Sequence, residues 1–177
     1  MNVDGFKWEA ILEQWQGEKR NWEDIMAVVY DNVWFNYILD QIRDFFIEEY
    51  NYGKIYISPS ILHQDPFSIR IWGNSAETIS YNQSEWVKRY SNVISLYEIE
   101  SSPEESFYKQ FLNDSERVYQ LLFSKNNLST TVDSTTLNYY DGMVESVEIN
   151  DFTEKEENIK GLNVCRFEYN VTLARVT

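Results

Sequence analysis

The sequence offers few residues that could carry out nucleophilic catalysis. His63 is its single histidine and Cys165 its single cysteine in 177 residues. A histidine can activate a cysteine thiolate as a nucleophile, but Cys165 falls on the apolar side of an alternating strand pattern, where a thiol is usually inert packing. His63 stands in a predicted loop beside Asp65. We therefore expect no Cys-His catalytic site.

Paired carboxylates and metal ligands are a second possibility. Glu98 and Glu100 alternate along a predicted strand, as the carboxylates of a glycosidase can, although nothing else in the sequence supports that chemistry. The acidic residues of 148–157 lack the ligand spacing and turn glycine of a calcium loop, and a zinc site needs more Cys or His ligands. Phosphate-binding glycine loops and nucleophile elbows are also missing. The sequence therefore predicts a protein that is not an enzyme and that binds neither a cofactor nor a metal.

Composition and charge limit the class of protein further. The length suits one domain with a sizeable core, and contents of 43 % hydrophobic and 16 % aromatic residues exclude general disorder. The net charge of −14 argues against a protein that grips phosphates over a broad surface, but it suits a surface that repels DNA or imitates it. The 13 tyrosines and 6 tryptophans fit either a tyrosine-rich core and surface or an assembly interface. Both interpretations stay open.

Signals for export or membrane insertion are missing from the sequence. Charged residues interrupt positions 1–15, so this stretch has no apolar core of the signal-peptide type. No apolar run approaches the roughly 20 residues that span a bilayer. A single cysteine cannot form an internal disulfide. We expect a soluble protein that is made in a reducing cytoplasm and has no membrane partner.

A strand at 93–99 that leads into a helix ending at Phe123 organises the rest of the chain. The strand has apolar residues on both sides, which predicts a position in the middle of a sheet with cover on both faces. Ser102 can cap the helix, Pro103 suits its first position, and Glu105 completes a capping box. The helix then carries an apolar stripe that includes Phe107, Phe111, Val118 and Leu122.

Hydrophobic spacing and turn residues predict further elements before this strand. In order, they are a leader helix over 6–16, a long helix from Trp22 that is clearest over 33–50, strands over 55–57 and 67–72, and a polar loop or short helix over 74–86.

The end of the chain has the clearest strand pattern. Five residues share one side of a strand opposite polar neighbours, namely Cys165, Phe167, Tyr169, Val171 and Leu173. A preceding strand over 140–150 should pair with it as an antiparallel hairpin, and residues 124–138 form a loop with one weak strand at 129–132. The acidic connection over 150–161 is too highly charged for a core, so we expect it to project.

Together these elements predict an α+β fold, with a mixed, mainly antiparallel sheet, helices packed on one face and a long C-terminal β-hairpin. Residues 1–24 form an N-terminal leader helix and loop, and residues 25–177 form a single α+β domain. Trp8 and Trp15 lie on one face of the leader helix and have no obvious place in a core that begins at Trp22. The leader can dock on its own domain or on a neighbouring chain. We expect an interface role for both tryptophans.

The order of the elements resembles a known family. The helix with residues 116–122 (ERVYQLL), the strand opened by 140–144 (YDGMV) and the strand with 167–173 (FEYNVTL) resemble the tail terminator, or tail completion, proteins of tailed bacteriophages over residues 33–175. The resemblance implies a virion structural protein, assembled in the host cytoplasm, that forms a hexameric ring. The ring would cap the tail tube and join it to the head connector, so the implied partners are the tail tube protein and the head-closure or connector protein. DNA would pass through the lumen without specific binding, and the family has no catalytic residues.

Other functions remain as alternatives. One is an acidic inhibitor that imitates DNA, which the charge of −14 suggests, and another is a different phage neck or connector subunit. A small hydrolase with a carboxylate site is a third. In a ring, an acidic lining would keep phosphates from sticking to the wall. We therefore expect Glu154, Glu156 and Glu157 of the projecting connection to face the lumen.

Overall fold

The computed structural model describes residues 32–51, 54–59, 65–82, 85–132, 135–152 and 161–176. The chain divides into two units, Met1–Asp31 and Asn32–Thr177, and all described residues belong to the second. The predicted leader helix, the boundary after residue 24 and the start of the long helix at Trp22 lie outside the described residues.

The described elements form an α+β fold, as predicted. In chain order they are a π-helical turn (Phe35–Leu39), α1 (Asp40–Glu49), β1 (Lys54–Ile57), β2 (Phe67–Tyr81), β3 (Glu85–Ile99), α2 (Glu105–Ser124), β4 (Leu128–Val132), β5 (Thr135–Phe152) and β6 (Leu162–Val176). The six strands form one mixed sheet in the order β1-β2-β3-β6-β5-β4. β1 pairs with β2 in parallel, and every other neighbouring pair is antiparallel.

Both helices pack on one side of the sheet, which we call the helix face. Phe46 of α1 and Leu122 of α2 share a single hydrophobic cluster with Ile94 of β3 and Ile71 of β2, and all four side chains are fully buried. The alternating residues of β6 join the same cluster, as predicted, together with three residues of α2: Cys165, Phe167, Tyr169, Val171 and Leu173 against Phe111, Val118 and Leu122. The period-two pattern of β6 therefore identified the inward-facing side chains correctly.

The prediction that the 93–99 strand lies in the middle of the sheet is confirmed. β3 runs between β2 and β6. Its Leu96 is buried on the helix face, and Tyr97 is buried on the opposite face beside Val164 and Leu162 of β6. Cover on both faces explains why the apolar residues of this strand do not alternate cleanly.

The predicted start of α2 was wrong by two residues. The helix begins at Glu105, its N-cap is Glu104, and no side chain caps it. The Glu100 carboxylate instead accepts a hydrogen bond of 3.1 Å from the backbone N–H of Ser102, which holds residues 100–102 in a turn after β3. Because Ser102 belongs to that turn, it does not act as the helix cap.

Two strands extend further than the sequence pattern indicated. Residues 74–81 continue β2 and β3 begins at Glu85, so the predicted loop or short helix over 74–86 is wrong. These residues of β2 are exposed, so no buried face imposes an alternation on them. β5 likewise begins at Thr135 rather than near residue 140, whereas the weak strand at 129–132 corresponds to β4.

Trp34 attaches the first helical segment to the middle of the sheet. Its indole Nε1–H donates a hydrogen bond of 2.8 Å to Oδ1 of the buried Asn92 on β3. The indole meets the Tyr90 ring edge-on, with 5.2 Å between the ring centroids. Any side chain at Gly73 would collide with the indole, so β2 needs a glycine there. The π-helical turn Phe35–Leu39 follows directly and leads into α1.

Candidate functional site

The predicted interface residues belong to parts of the chain that the structure does not describe. Trp8, Trp15, Glu154, Glu156 and Glu157 all lie outside the described residues, and so does His63. Their predicted roles stay predictions.

Cys165 has the surroundings of a structural cysteine. Its side chain is fully buried between the sheet and α2. Burial raises the pKa of the thiol, and a hydrogen bond with Ser115 offsets only part of that increase. A thiol that stays protonated and inaccessible is a poor nucleophile.

Glu98 and Glu100 do not form a catalytic pair, although they alternate along β3. Glu98 is only 6 % exposed and points toward α2, whereas the Glu100 carboxylate binds the backbone of the turn after the strand. A glycosidase needs both carboxylates to face the same substrate. The two side chains do not have that arrangement.

Glu98 instead meets a second buried carboxyl group that the sequence did not reveal. Burial, and then the nearby Asp114 of α2, raise the pKa of Glu98 to about 7, and its Oε1 has no hydrogen-bond partner. Asp114 is also 6 % exposed and accepts a hydrogen bond of 2.7 Å from Gln110. The only signal in the sequence is that Asp114 falls within the apolar stripe of α2, between Phe111 and Val118.

The described part of the chain has neither a cluster of metal ligands nor a membrane-spanning helix. It contains no group of three or more His, Cys, Asp or Glu side chains placed to hold a metal ion. Its helices are also too short or too polar to cross a bilayer.

An apolar groove runs between α2 and β5 on the helix face, and we call it the α2–β5 groove. It has a volume of about 290 Å³ and is lined by Leu112, Ser115, Glu116, Tyr119, Val147, Ile149 and Phe167. Leu112 is 52 % exposed and Ile149 is 54 % exposed. Several large apolar side chains that share one exposed surface are typical of a protein–protein contact.

The opposite face carries a polar hollow of about 310 Å³ near the β2–β3 hairpin. Arg89 forms an ion pair of 3.1 Å with Glu77, and the Ser91 hydroxyl donates a hydrogen bond of 2.9 Å to Glu168. The hollow therefore combines charges of both signs that are partly paired with each other. This arrangement differs from the row of acidic groups at phosphate-like spacing that a protein imitating DNA would carry.

The sheet has two long strand segments without a neighbouring strand among the described residues. β1 pairs only with residues 68–71 of β2, so residues 72–81 form an open segment that we call the β2 edge. β4 pairs only with residues 135–139 of β5, and Gly142 N–H donates to the Asn126 carbonyl, so the open segment begins at Met143. We call residues 143–152 the β5 edge. Unpaired backbone groups along such edges can accept another strand.

The chain matches no protein-family model and no curated protein. The groove, the hollow and the two open edges are therefore the candidate functional surfaces of the described chain.

Proposed function

We propose that the protein is a structural subunit of a tailed-bacteriophage virion, a tail terminator that forms a hexameric ring. The ring caps the tail tube and joins it to the head-closure or connector protein. The order of elements that resembles this family is supported by an α+β fold in which residues 116–122 lie in α2, 140–144 in β5 and 167–173 in β6.

The observation that carries the proposal is the presence of two different open edges at opposite sides of one sheet. β2 lies near one end of the strand order and β5 near the other. A subunit that joins a closed ring through a head-to-tail contact needs two unlike surfaces of this kind, one for each neighbour. A two-fold dimer would need only one.

The α2–β5 groove gives a second reason to expect an assembly. Complete burial of a large apolar side chain is worth about 1.5–3 kcal/mol. Leu112, Tyr119 and Ile149 are left partly exposed in the isolated chain. Contact with a neighbouring subunit or with the tail tube protein would remove this surface from water.

The acidic charge suits a ring through which DNA passes without specific binding. At −14 per chain, a ring repels phosphates at close range, within a screening length of roughly 8 Å in physiological salt. We assign Glu154, Glu156 and Glu157 to the lumen. Reversal of all three to Lys is expected to leave folding and ring formation intact but to retard DNA passage during ejection, and normal ejection would place them on the outside.

Light scattering and negative-stain microscopy of the purified chain, alone and with the tail tube protein of the same virus, test the proposal. Six-fold rings that bind one end of each tube are the expected result. Rings that bind a head component but no tube would instead indicate another neck subunit. A monomer that does not bind tubes but inhibits a nucleic-acid-binding enzyme would overturn the proposal in favour of a DNA mimic.

A further inference from the structure

The two short strands of the sheet lie at opposite ends of the long strands. β1 flanks the lower part of the sheet, where one row of paired residues runs Ile55, Ile69, Leu96, Cys165 and Ile149. β4 flanks the upper part, where another row runs Leu128, Tyr139, Leu173, Lys88 and Thr78. Each side of the sheet therefore has a step, with one part covered by a short strand and a longer part open.

The two steps have complementary shapes. The β5 edge is open at the level that β1 occupies on the other side of the sheet, and the β2 edge is open at the level that β4 occupies. Within the described residues, the pairing of β1 with β2 ends at Ser58, whose N–H donates to the Ile71 carbonyl. Just before β4, the Asn126 carbonyl accepts a hydrogen bond from Gly142 N–H of β5. A short strand from one copy would therefore fit above a short strand from the next without overlap.

We propose that neighbouring copies of this chain join edge to edge, so that β1 of one copy pairs with the β5 edge of the next, and β4 of that copy pairs with the β2 edge of the first. The two short strands then share one position in a continuous sheet. This inference rests on the proposed function and deepens it by naming the contact between ring subunits.

We call this edge-to-edge contact between two copies the joint, and its register follows from the rows of paired residues. Ile55 would lie beside Ile149 of the neighbouring copy, and Ile57 would lie beside Val147, all on the helix face. Val147 and Ile149 are exposed in the single chain, while Ile55 and Ile57 already pack against its core. Apolar side chains that meet across two strands stabilise the pairing, so the joint also covers one side of the α2–β5 groove.

Strand directions and charges allow both halves of the joint. β1 runs in the same direction as β2, and β5 runs in the opposite direction, so β1 and the β5 edge would be antiparallel. β4 and the β2 edge would be parallel. Near the lower half, the exposed Lys54 would lie diagonally across from the exposed Glu148, an attractive pair.

The occupant that these features favour is a second copy of the chain rather than an unrelated peptide. An added peptide strand would occupy one open edge and leave the other unchanged, whereas a second copy places a strand beside part of each edge at once. A contact between unlike edges is head-to-tail, and such contacts close into rings or continue as filaments.

Cysteine cross-linking tests the upper half of the joint at two exposed positions. Ser80 on the β2 edge and Ser129 on β4 are both exposed and belong to one row across the sheet. Equimolar Ser80→Cys and Ser129→Cys chains should form a disulfide-linked heterodimer under mild oxidation. A second mixture, of Ile55→Cys and Ile149→Cys chains, tests the lower half of the joint. The native Cys165 does not interfere because it is fully buried.

The matched control is a mixture of Tyr81→Cys and Ser129→Cys chains. Tyr81 is 77 % exposed and adjacent to Ser80, but its side chain lies on the other face of the sheet. The Ser80 mixture should cross-link on the order of tenfold more than this control, because Cβ vectors that point apart cannot be bridged.

Five outcomes separate this joint from the ring itself. Specific cross-links in both mixtures support the joint. Equal yields in test and control overturn it, as do homodimers of Ser129→Cys or Ile149→Cys alone, which would indicate two-fold contacts. Six-fold rings without these cross-links overturn the joint and leave the tail-terminator proposal standing. Specific cross-links in an open filament support the joint and contradict the hexameric ring.

Discussion

The buried carboxyl group of Glu98 should make the folded protein less stable as the pH rises. Its pKa is about 7 in the folded chain, against an ordinary value of 4.5. Below pH 4.5 the group is neutral in both states and no charge is buried, whereas above pH 7 it is charged in both states and only the folded state bears the cost of a buried charge. At 1.36 kcal/mol for each pKa unit, the difference corresponds to about 3 kcal/mol, lost between pH 4.5 and 7.

The substitution Glu98→Gln keeps the shape of the side chain and removes the titration. Its free energy of unfolding should match that of the wild-type protein near pH 4.5 and exceed it by up to about 3 kcal/mol at pH 8. Urea denaturation across this pH range measures both curves. Glu145→Gln, at an exposed position on β5, is the control and should leave the wild-type slope in place. Parallel curves for the wild type and Glu98→Gln would refute the assignment of the slope to this group.

Three further predictions follow from the packing of β6 and its surroundings. Phe167→Ala should lower the free energy of unfolding by about 3–5 kcal/mol, because it empties a fully buried site; an unchanged melting temperature would contradict the observed register. Gly161→Ala should cost about 1–3 kcal/mol, since Gly161 has a φ of 77° and a Cβ would collide with the Glu100 carbonyl; calorimetry measures the loss, and a neutral effect would contradict the strain. Cys165 should resist a thiol reagent in the native protein and react in urea, whereas rapid native labelling would show that the β6–α2 contact opens.

The fold could be predicted where burial leaves a regular pattern. The alternating residues of β6 face one continuous core, so the period of two survives in the sequence and the hairpin partner β5 could be found from it. The mixed pattern of the 93–99 strand was equally informative, because only a central strand buries both of its faces. The fold class and the pairing of the last two strands followed from these two elements.

The remaining features depend on contacts that the sequence pattern does not record. Residues 74–81 form a strand although both faces are exposed, so backbone pairing with β3 determines their structure. The sequence pattern predicted Ser102 as a helix cap. In the structure its backbone N–H donates to the Glu100 carboxylate, and the helix begins at Glu105. The Glu98 and Asp114 carboxyl groups are 16 positions apart in the chain, and only the packing of α2 on the helix face of the sheet brings them near each other. The open edges likewise depend on which strands are short and at which end they lie.

The π-helical turn before α1 sets the angular position of Trp34. In this turn the backbone N–H of Asp40 donates to the carbonyl of Phe35, five residues back, so the turn holds one residue more than an α-helix does. Each residue of an α-helix corresponds to about 100° of rotation. Shortening the segment by one residue would restore an ordinary helix but swing the indole away from Asn92 and Gly73. The extra residue therefore fixes the rotation of Trp34 relative to α1, so that the indole reaches Asn92 while the buried side of α1 packs on the sheet.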